Sequence, residues 1–484
     1  VRVTVLLFVI IGFSTIIPVY ADWDSYPTYP AYVAMMEKLQ ADYPELCKVV
    51  QFGQSVKGRK LLCAKISDNV HLREAEPRFM YSSTIHGQEV AGFVLMLRLI
   101  DYLLSNYGKD ELVTRLIDSV EIWINPLFNP DGTYKEASIN VSYQTNANGV
   151  DLDRNFPNPV GGQHPDGKVW QPETMAMMAL ADSATFTMSA NFHGGAEMVI
   201  YPYDCWSKLH ADNSWWCYVS RMYVDTAHAH SPGGYMTGGT DGIKNGYDWY
   251  CAIGTRKDYM NYYACCREAA IELSMTKILA ASQLPIHWNY NYRSFLQYIQ
   301  QVLYGIKGTV VDSLTGEPIR AKVVIENHDR DSSHVYSLLP HGDYYRPIIA
   351  GTYAVTFSAP GYLSRTVTGI EVKNNKATVA NVKLVKDWTS ITVNGKTAPE
   401  IKVMNFKGSI LISYTNQKSL TARISIIDMY GKSVRKLTHE AVDGKRTVVW
   451  DGFDACGRSV SNGCYAACIE TGDSRVIKTF IFVR

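Results

Sequence analysis

"RFMYSSTIHGQEVAGFVLMLRL", residues 78–99, decides how this chain is organised. Phe79 to Ile85 is a run of aromatic, apolar and small hydroxyl residues, which predicts a buried strand. From Val90 the apolar run continues too long for a strand and predicts a helix. His86 and Glu89 stand between the two, three positions apart. A strand handing over to a helix is the repeating unit of an α/β sheet, and such sheets collect ligands at the carboxyl ends of their strands. The spacing alone has little weight. With twelve histidines in the chain, an H-x-x-E arises readily by accident. His71 and Glu74 repeat it within "SDNVHLREAEPR", a polar stretch that reads as a loop.

The surrounding sequence keeps the α/β texture from residue 22 to 303. "YPAYVAMMEKLQADYP" has helical apolar spacing up to Pro44, and "EIWINPLFNPDG" is a strand entering a turn. "PETMAMMALADSA" starts with a helix-type proline, "TFTMSANFHGG" and "REAAIELS" read as strands, and "SFLQYIQQVLYG" closes with a helix. This alternation predicts a largely parallel or mixed sheet covered by helices. At Gly305 the texture changes to short alternating strands with Gly, Pro and Asp turns, which predicts a small β-sandwich over 304–387. A second all-β module is expected over 388–484, through "GSILISYT", "TARISIIDMYG" and "RTVVWDGFD".

A length of 484 residues, 46% hydrophobic content and a net charge of +1 describe a multi-domain globular chain. Nothing in that charge balance points to nucleic acid or an anionic membrane as partner. Residues 1–21 have the layout of a signal peptide: Arg2, an apolar run from Val5 to Ile17, and the small-residue site ending at Ala21. The expected product is exported (secreted, periplasmic or at the cell surface), with no transmembrane anchor after cleavage, because the apolar run falls short of about 20 residues. Ten cysteines agree with an oxidising compartment. Cys205 with Cys217, and a bridge among Cys456, Cys464 and Cys468, are candidate disulfides; buried free thiols are the alternative.

Three strand ends carry groups suited to a metal. The first offers His86 and Glu89, and the second offers His193, followed by Gly194 and Gly195. The third has Glu272 inside an apolar strand, where a bare carboxylate needs a partner or a raised pKa. Two imidazoles and a carboxylate with an open water position are the set of a catalytic zinc, and a separate carboxylate can act as general base. Taken singly, His193 also fits a satisfied core histidine, and Glu272 an internal ion-pair partner.

At these positions the chain resembles the zinc metallocarboxypeptidases of the carboxypeptidase A/N/E/D superfamily, closest to the N/E/D branch and its secreted bacterial relatives. The likeness rests on "HGQE", "NPDG", "NANGVDLDRNFP", "QPET", "SANFHGGAEMVIYPYD", "NGYDWY" and "REAAIELS", in that order. It implies a mixed eight-stranded sheet flanked by helices over 22–303, then a transthyretin-like β-domain beginning at "GIKGTVVDSLTGEPI". It implies one zinc held by His86, Glu89 and His193, with Glu272 as general base and acid. Asp151 matches the carboxylate that orients a zinc histidine. Arg154 matches the arginine that grips the substrate's terminal carboxylate, Tyr250 the mobile substrate-contacting tyrosine, and Asp204 the acid that reads a C-terminal Lys or Arg.

Three positions depart from the family's pattern. Gln144 stands where an oxyanion-stabilising arginine is usual, which makes it a weaker, uncharged donor. Asp153 replaces a carboxylate-binding asparagine, and beside a substrate carboxylate it costs on the order of 1–4 kcal/mol unless paired. Lys257 stands where glutamine is common and is able to neutralise Asp204. The expected function is a secreted, monomeric zinc carboxypeptidase acting on peptide or protein C-termini, with a Lys/Arg preference and altered recognition of the terminus. Two alternatives are a zinc peptidase for cell-wall peptides or other modified termini, and a non-catalytic zinc-containing peptide-binding protein.

Overall fold

The computed structural model describes residues 23–135, 139, 143–387, 401–406, 409–416, 422–428, 431–439, 444–471 and 474–483. The expected signal segment at 1–21 and the start of the last module at 388–400 lie outside the described residues. Among the described residues no helix is long and apolar enough to cross a membrane.

Eight strands build the first sheet: β1 (Cys47–Gln54), β2 (Lys60–Ile66), β3 (Arg78–Ser83), β4 (Glu121–Asn125), β5 (Met188–His193), β6 (Ala196–Tyr201), β7 (Ile243–Asn245) and β8 (Arg267–Ser274). Their order across the sheet is β1-β2-β4-β3-β5-β8-β6-β7. The middle is parallel, with β4, β3, β5 and β8 running together, while β1, β2 and the β8–β6 pair are antiparallel. Strands β5 and β8 are buried along their whole length, as parallel strands covered on both faces must be. The helix Ala91–Asn106 follows β3 and buries Phe93, Leu95, Leu99 and Leu103. In the same core cluster, Tyr81 packs on Phe192 and Phe295 at ring separations of 5.0 and 5.9 Å. The Tyr298 hydroxyl donates to the Ser189 carbonyl at 3.2 Å, which ties the helix Leu284–Gln300 to β5.

The motifs "HGQE" and "NPDG" meet through their glycines. A Cβ at Gly87 would come within 2.4 Å of the Gly132 carbonyl carbon, so only glycine lets the two backbones touch. Asn129 accepts from the Gly132 amide at 2.9 Å and donates to the Ile85 carbonyl at 3.1 Å, fixing the residue before His86.

The second unit has β9 (Gly305–Asp312), β10 (Lys322–Ile325), β11 (Val335–Tyr336), β12 (Asp343–Arg346), β13 (Gly351–Ser358), β14 (Arg365–Val372), β15 (Ala377–Val379) and β16 (Val382–Leu384). It is a sandwich of two sheets, β11-β10-β13-β14 and β12-β9-β15, with β16 pairing β9. Val310, Ala321, Val323, Tyr344 and Phe357 fill its interior. The last module forms sheets of three and four strands around Ile412, Ile426, Trp450, Ile469 and Phe482. All ten cysteines are free thiols, so the two candidate disulfides do not form; Cys217 Sγ instead donates to the Tyr201 hydroxyl at 3.7 Å.

A buried ion cluster joins the first two units. Asp212, at no exposure, receives Arg346 at 2.8 and 3.0 Å, Arg267 at 3.0 Å, and lies 2.7 Å from His328 Nε2. Arg346 also pairs with Asp329. Burial alone would raise the Asp212 pKa, but the two guanidiniums hold it well below the usual carboxylate range. Arg346→Met leaves two buried carboxylates short of a partner. It is expected to lower unfolding free energy by about 3–5 kcal/mol in chemical denaturation; an unchanged midpoint would contradict a structural role for the cluster.

Candidate active site

The expected metal-binding residues converge at the carboxyl end of the parallel strands. His86 follows β3, His193 ends β5, and Glu272 lies on β8 directly opposite His193 in the strand register. Glu89 sits at the mouth of the helix that begins at Ala91. His86 Nδ1 and His193 Nδ1 each lie 3.0 Å from Glu89 Oε2. All three side chains are buried, and they form a group whose ligand atoms lie within 4.8 Å of one another. Two imidazole nitrogens and one carboxylate oxygen, the same ring atom of each histidine facing inward, fit a zinc ion.

The outward ring nitrogens are also held. His86 Nε2 lies 3.2 Å from Asp151 Oδ1, and His193 Nε2 bonds to Asn191 Oδ1. Such partners fix the tautomer and leave Nδ1 free to donate its lone pair to a metal. Asn191 was not among the expected site residues. Its signal was period two: Ser189, Asn191 and His193 share one face of β5. Behind Asn191, Glu268 accepts from it at 2.7 Å, from Ser189 at 2.6 Å and from Arg256 at 2.9 Å.

Electrostatics in the triad follow from mutual attraction. Burial opposes charge on each member, yet Glu89 is held well below the usual carboxylate range by the two histidines. The His86 imidazole is correspondingly raised, against its burial, by Glu89 and Asp151. Glu272 behaves in the opposite way. Its carboxyl is 6% exposed and its Oε2 is buried without a hydrogen-bond partner. Burial pushes it up to about 7, with His193 opposing and the Glu89 charge reinforcing. Lys277, also unforeseen, reaches Glu89 Oε1 at 3.2 Å and lines the same cleft.

That cleft, of about 280 Å³, also receives Gln144, Asp153, Arg154, Asp204, Tyr250 and Lys257. Gln144 donates to Asp151 Oδ2 at 2.7 Å, so its amide is engaged in holding Asp151. The second N–H of that amide is not engaged by this bond, and Gln144 lines the cleft. Asp153 accepts from the Arg256 amide at 2.9 Å, and Arg154 Nη1 lies 3.4 Å from its other oxygen. Lys257 Nζ pairs with Asp204 Oδ1 at 2.7 Å, both largely buried. A Cβ at Gly246 would fall 1.9 Å from Asp204 Oδ1, so the pair depends on glycine there. Tyr250 is 62% exposed at the rim, its ring 5.8 Å from the Arg154 guanidinium.

A two-histidine, one-carboxylate centre with a free buried glutamate, at the strand ends of a mixed α/β sheet, defines the class as a metallopeptidase-type site. The family model described as "Zinc carboxypeptidase" matches residues 32–294, and the one described as "Carboxypeptidase regulatory-like domain" matches residues 305–385. The chain belongs to the zinc carboxypeptidase family. It is 32% identical to mouse carboxypeptidase M over 397 residues, covering 78% of this chain and 88% of that protein. To the mouse carboxypeptidase N catalytic chain it is 34% identical over 386 residues, covering 70% and 82%. To mouse carboxypeptidase D it is 33% identical over 386 residues, 74% of this chain but 27% of that much longer protein. Among solved structures, carboxypeptidase A from Helicoverpa armigera shares the fold at a TM-score of 0.50 and 19% identity, covering 57% of this chain and 74% of that one.

Two tests follow from this geometry. Asn191→Ala is expected to weaken zinc binding about 10–100-fold in competition with a chelating dye, with the fold retained; an unchanged affinity would remove Asn191 from the site. In metal-free protein, Glu272 holds a proton between its unfolded pKa of 4.5 and about 7, where the unfolded chain does not. The native state therefore binds more protons in that window, and stability falls as pH rises through it. Glu272→Gln should remove about 3 kcal/mol of that fall, read from denaturation at pH 5 and pH 8; parallel pH profiles would contradict the raised carboxyl.

Proposed function

We propose that the chain is a zinc-dependent carboxypeptidase that removes single residues from the C-termini of peptides or proteins. The observation that carries this reading is Glu272: a buried carboxyl, without a hydrogen-bond partner on Oε2, beside the metal-binding triad. A structural metal would need no such group.

His86, Glu89 and His193 would hold the ion, with Asp151 and Asn191 steering the two rings. Zinc, when bound, supplies Lewis-acid polarisation of the scissile carbonyl and makes water more acidic. Glu272, buried beside the triad with Oε2 unpartnered, takes a proton from the attacking water and returns it to the leaving amine. Arg154 offers a guanidinium to the substrate's terminal carboxylate, a pairing that suits bidentate geometry. Asp153 is drawn back by the Arg256 amide and by Arg154 itself, which lessens its repulsion of that carboxylate. The Tyr250 ring, exposed at the rim, can fold over the bound terminus.

Specificity departs from a plain basic-residue pocket. Asp204 would read a C-terminal Lys or Arg, but Lys257 already occupies it at 2.7 Å. The favoured terminal side chain is therefore polar and uncharged, with a residual Lys/Arg preference. A second reading draws on the same mixed charges: Asp204 with Lys257 and Asp153 with Arg154 also suit termini that carry amino and carboxylate groups together, as in cell-wall peptides.

The deciding experiment offers zinc-loaded protein peptides ending in Arg, Lys, Gln, Phe and Glu, and a muropeptide mixture. Release of single C-terminal residues, abolished by chelator and by Glu272→Gln, is expected. Cleavage confined to muropeptides would favour the second reading, and zinc retention without turnover would sink both. Lys257→Gln frees Asp204 and should raise kcat/KM for C-terminal Arg at least about 10-fold relative to Gln; an unchanged ratio would contradict the neutralising role of Lys257.

A further inference from the structure

Residues 202–212 run from the substrate cleft to the surface of the second domain. Asp204 lines the cleft at one end, and Asp212 anchors the buried ion cluster at the other. The segment contains neither strand nor helix, so no ladder of backbone bonds fixes it. On the cleft side it is held by Asp258, which accepts from the Asp204 and Cys205 amides at 2.9 and 3.0 Å, and by the Tyr247 amide on the Tyr203 carbonyl at 2.8 Å.

Within the first domain the Ala252 amide also donates to the Asp204 carbonyl at 3.3 Å and Asn245 to the Pro202 carbonyl at 3.1 Å, and further restraints come from the β-domain loop at 328–333. The Tyr203 hydroxyl donates to the Asp331 carbonyl at 3.2 Å, Lys208 pairs with Asp331 at 2.6 Å, and Arg330 donates to the Leu209 carbonyl at 3.1 Å. His328 and Arg346 then grip Asp212. Asp212 stands at the N-cap of the helix Asn213–Ala229 yet makes no side-chain cap bond, its carboxylate being turned to the other domain. At the tip of the loop, Asp331 and Ser332 both take positive φ, 50° and 62°. Strained backbone of this kind persists only where its surroundings over-determine it, and here it makes the contact.

We propose that the β-domain is a positioning element for the substrate pocket: its 328–333 loop and Arg346 fix residues 202–212 and so set Asp204 against Lys257. The fit at Asp204 tolerates little drift, because Gly246 and the Lys257 ammonium both crowd the same carboxylate oxygen, Oδ1. The second domain thereby determines specificity without touching substrate. This rests on the peptidase reading for its catalytic consequence but not for the mechanical one.

The test uses the full chain with Tyr203→Phe, Lys208→Ala and Arg330→Ala combined, which leaves the ion cluster and the cleft residues intact. Hydrogen exchange at 203–209 should quicken about 10-fold while 188–193 stays protected. KM for peptides ending in Gln or Arg should rise several-fold and their ratio should change, with kcat and zinc content held. Lys208→Arg with Arg330→Lys should restore both readouts towards wild type. Unchanged exchange at 203–209, or an equal loss of kcat on every substrate, would overturn the proposal. If the wild-type protein cleaves no peptide, the peptidase reading fails by itself, and hydrogen exchange still decides whether the β-domain holds this segment.

Discussion

One carboxylate oxygen, Glu89 Oε2, stands 3.0 Å from an imidazole nitrogen on each side, and the catalytic domain is organised around keeping that meeting point. Burying two imidazoles and a carboxylate costs desolvation that must be offset by partners. Here their own mutual charge holds them, and Asp151 and Asn191 brace the rings from behind. Parallel pairing of β3, β5 and β8 brings the three strand ends to one edge, so topology rather than local sequence sets the geometry.

The same paired logic extends outward from the centre. Glu272 lies in register with His193, in a cleft whose remaining charges are already matched: Asp153 to Arg154 and Asp204 to Lys257. One buried ion cluster then ties that cleft's wall to a second domain through Asp212.

Much of this could be read from the chain. The change from a strand pattern to a helix pattern around His86 announced an α/β sheet, and the ordered motifs gave the site its members. The signal was strong where a residue type is costly to place without a reason, as with Glu272 in an apolar strand. It was weaker where a role depends on partners remote in sequence. Asn191 looked like one more polar residue until β5 was seen to point it at His193 Nε2. Gln144 lines the cleft as expected of a substrate-facing donor, and its amide also reaches the carboxylate of Asp151, a partner no local pattern announced. Asp212, Arg267 and Arg346 lie up to 134 positions apart, and no local pattern links them. The cysteine count suggested bridges, yet Cys217 settled against Tyr201 and the thiols stayed apart.

The central claim is that His86, His193 and Glu89 bind one zinc through two nitrogens and carboxylate oxygen. X-ray absorption at the zinc edge, on protein loaded with one equivalent of metal, reads that donor set directly. Two imidazole shells with light oxygen donors and no sulfur, collapsing to a one-imidazole spectrum in His193→Ala, is the predicted result. Thiolate ligation, or a spectrum indifferent to loss of His193, would place the metal elsewhere and contradict the account.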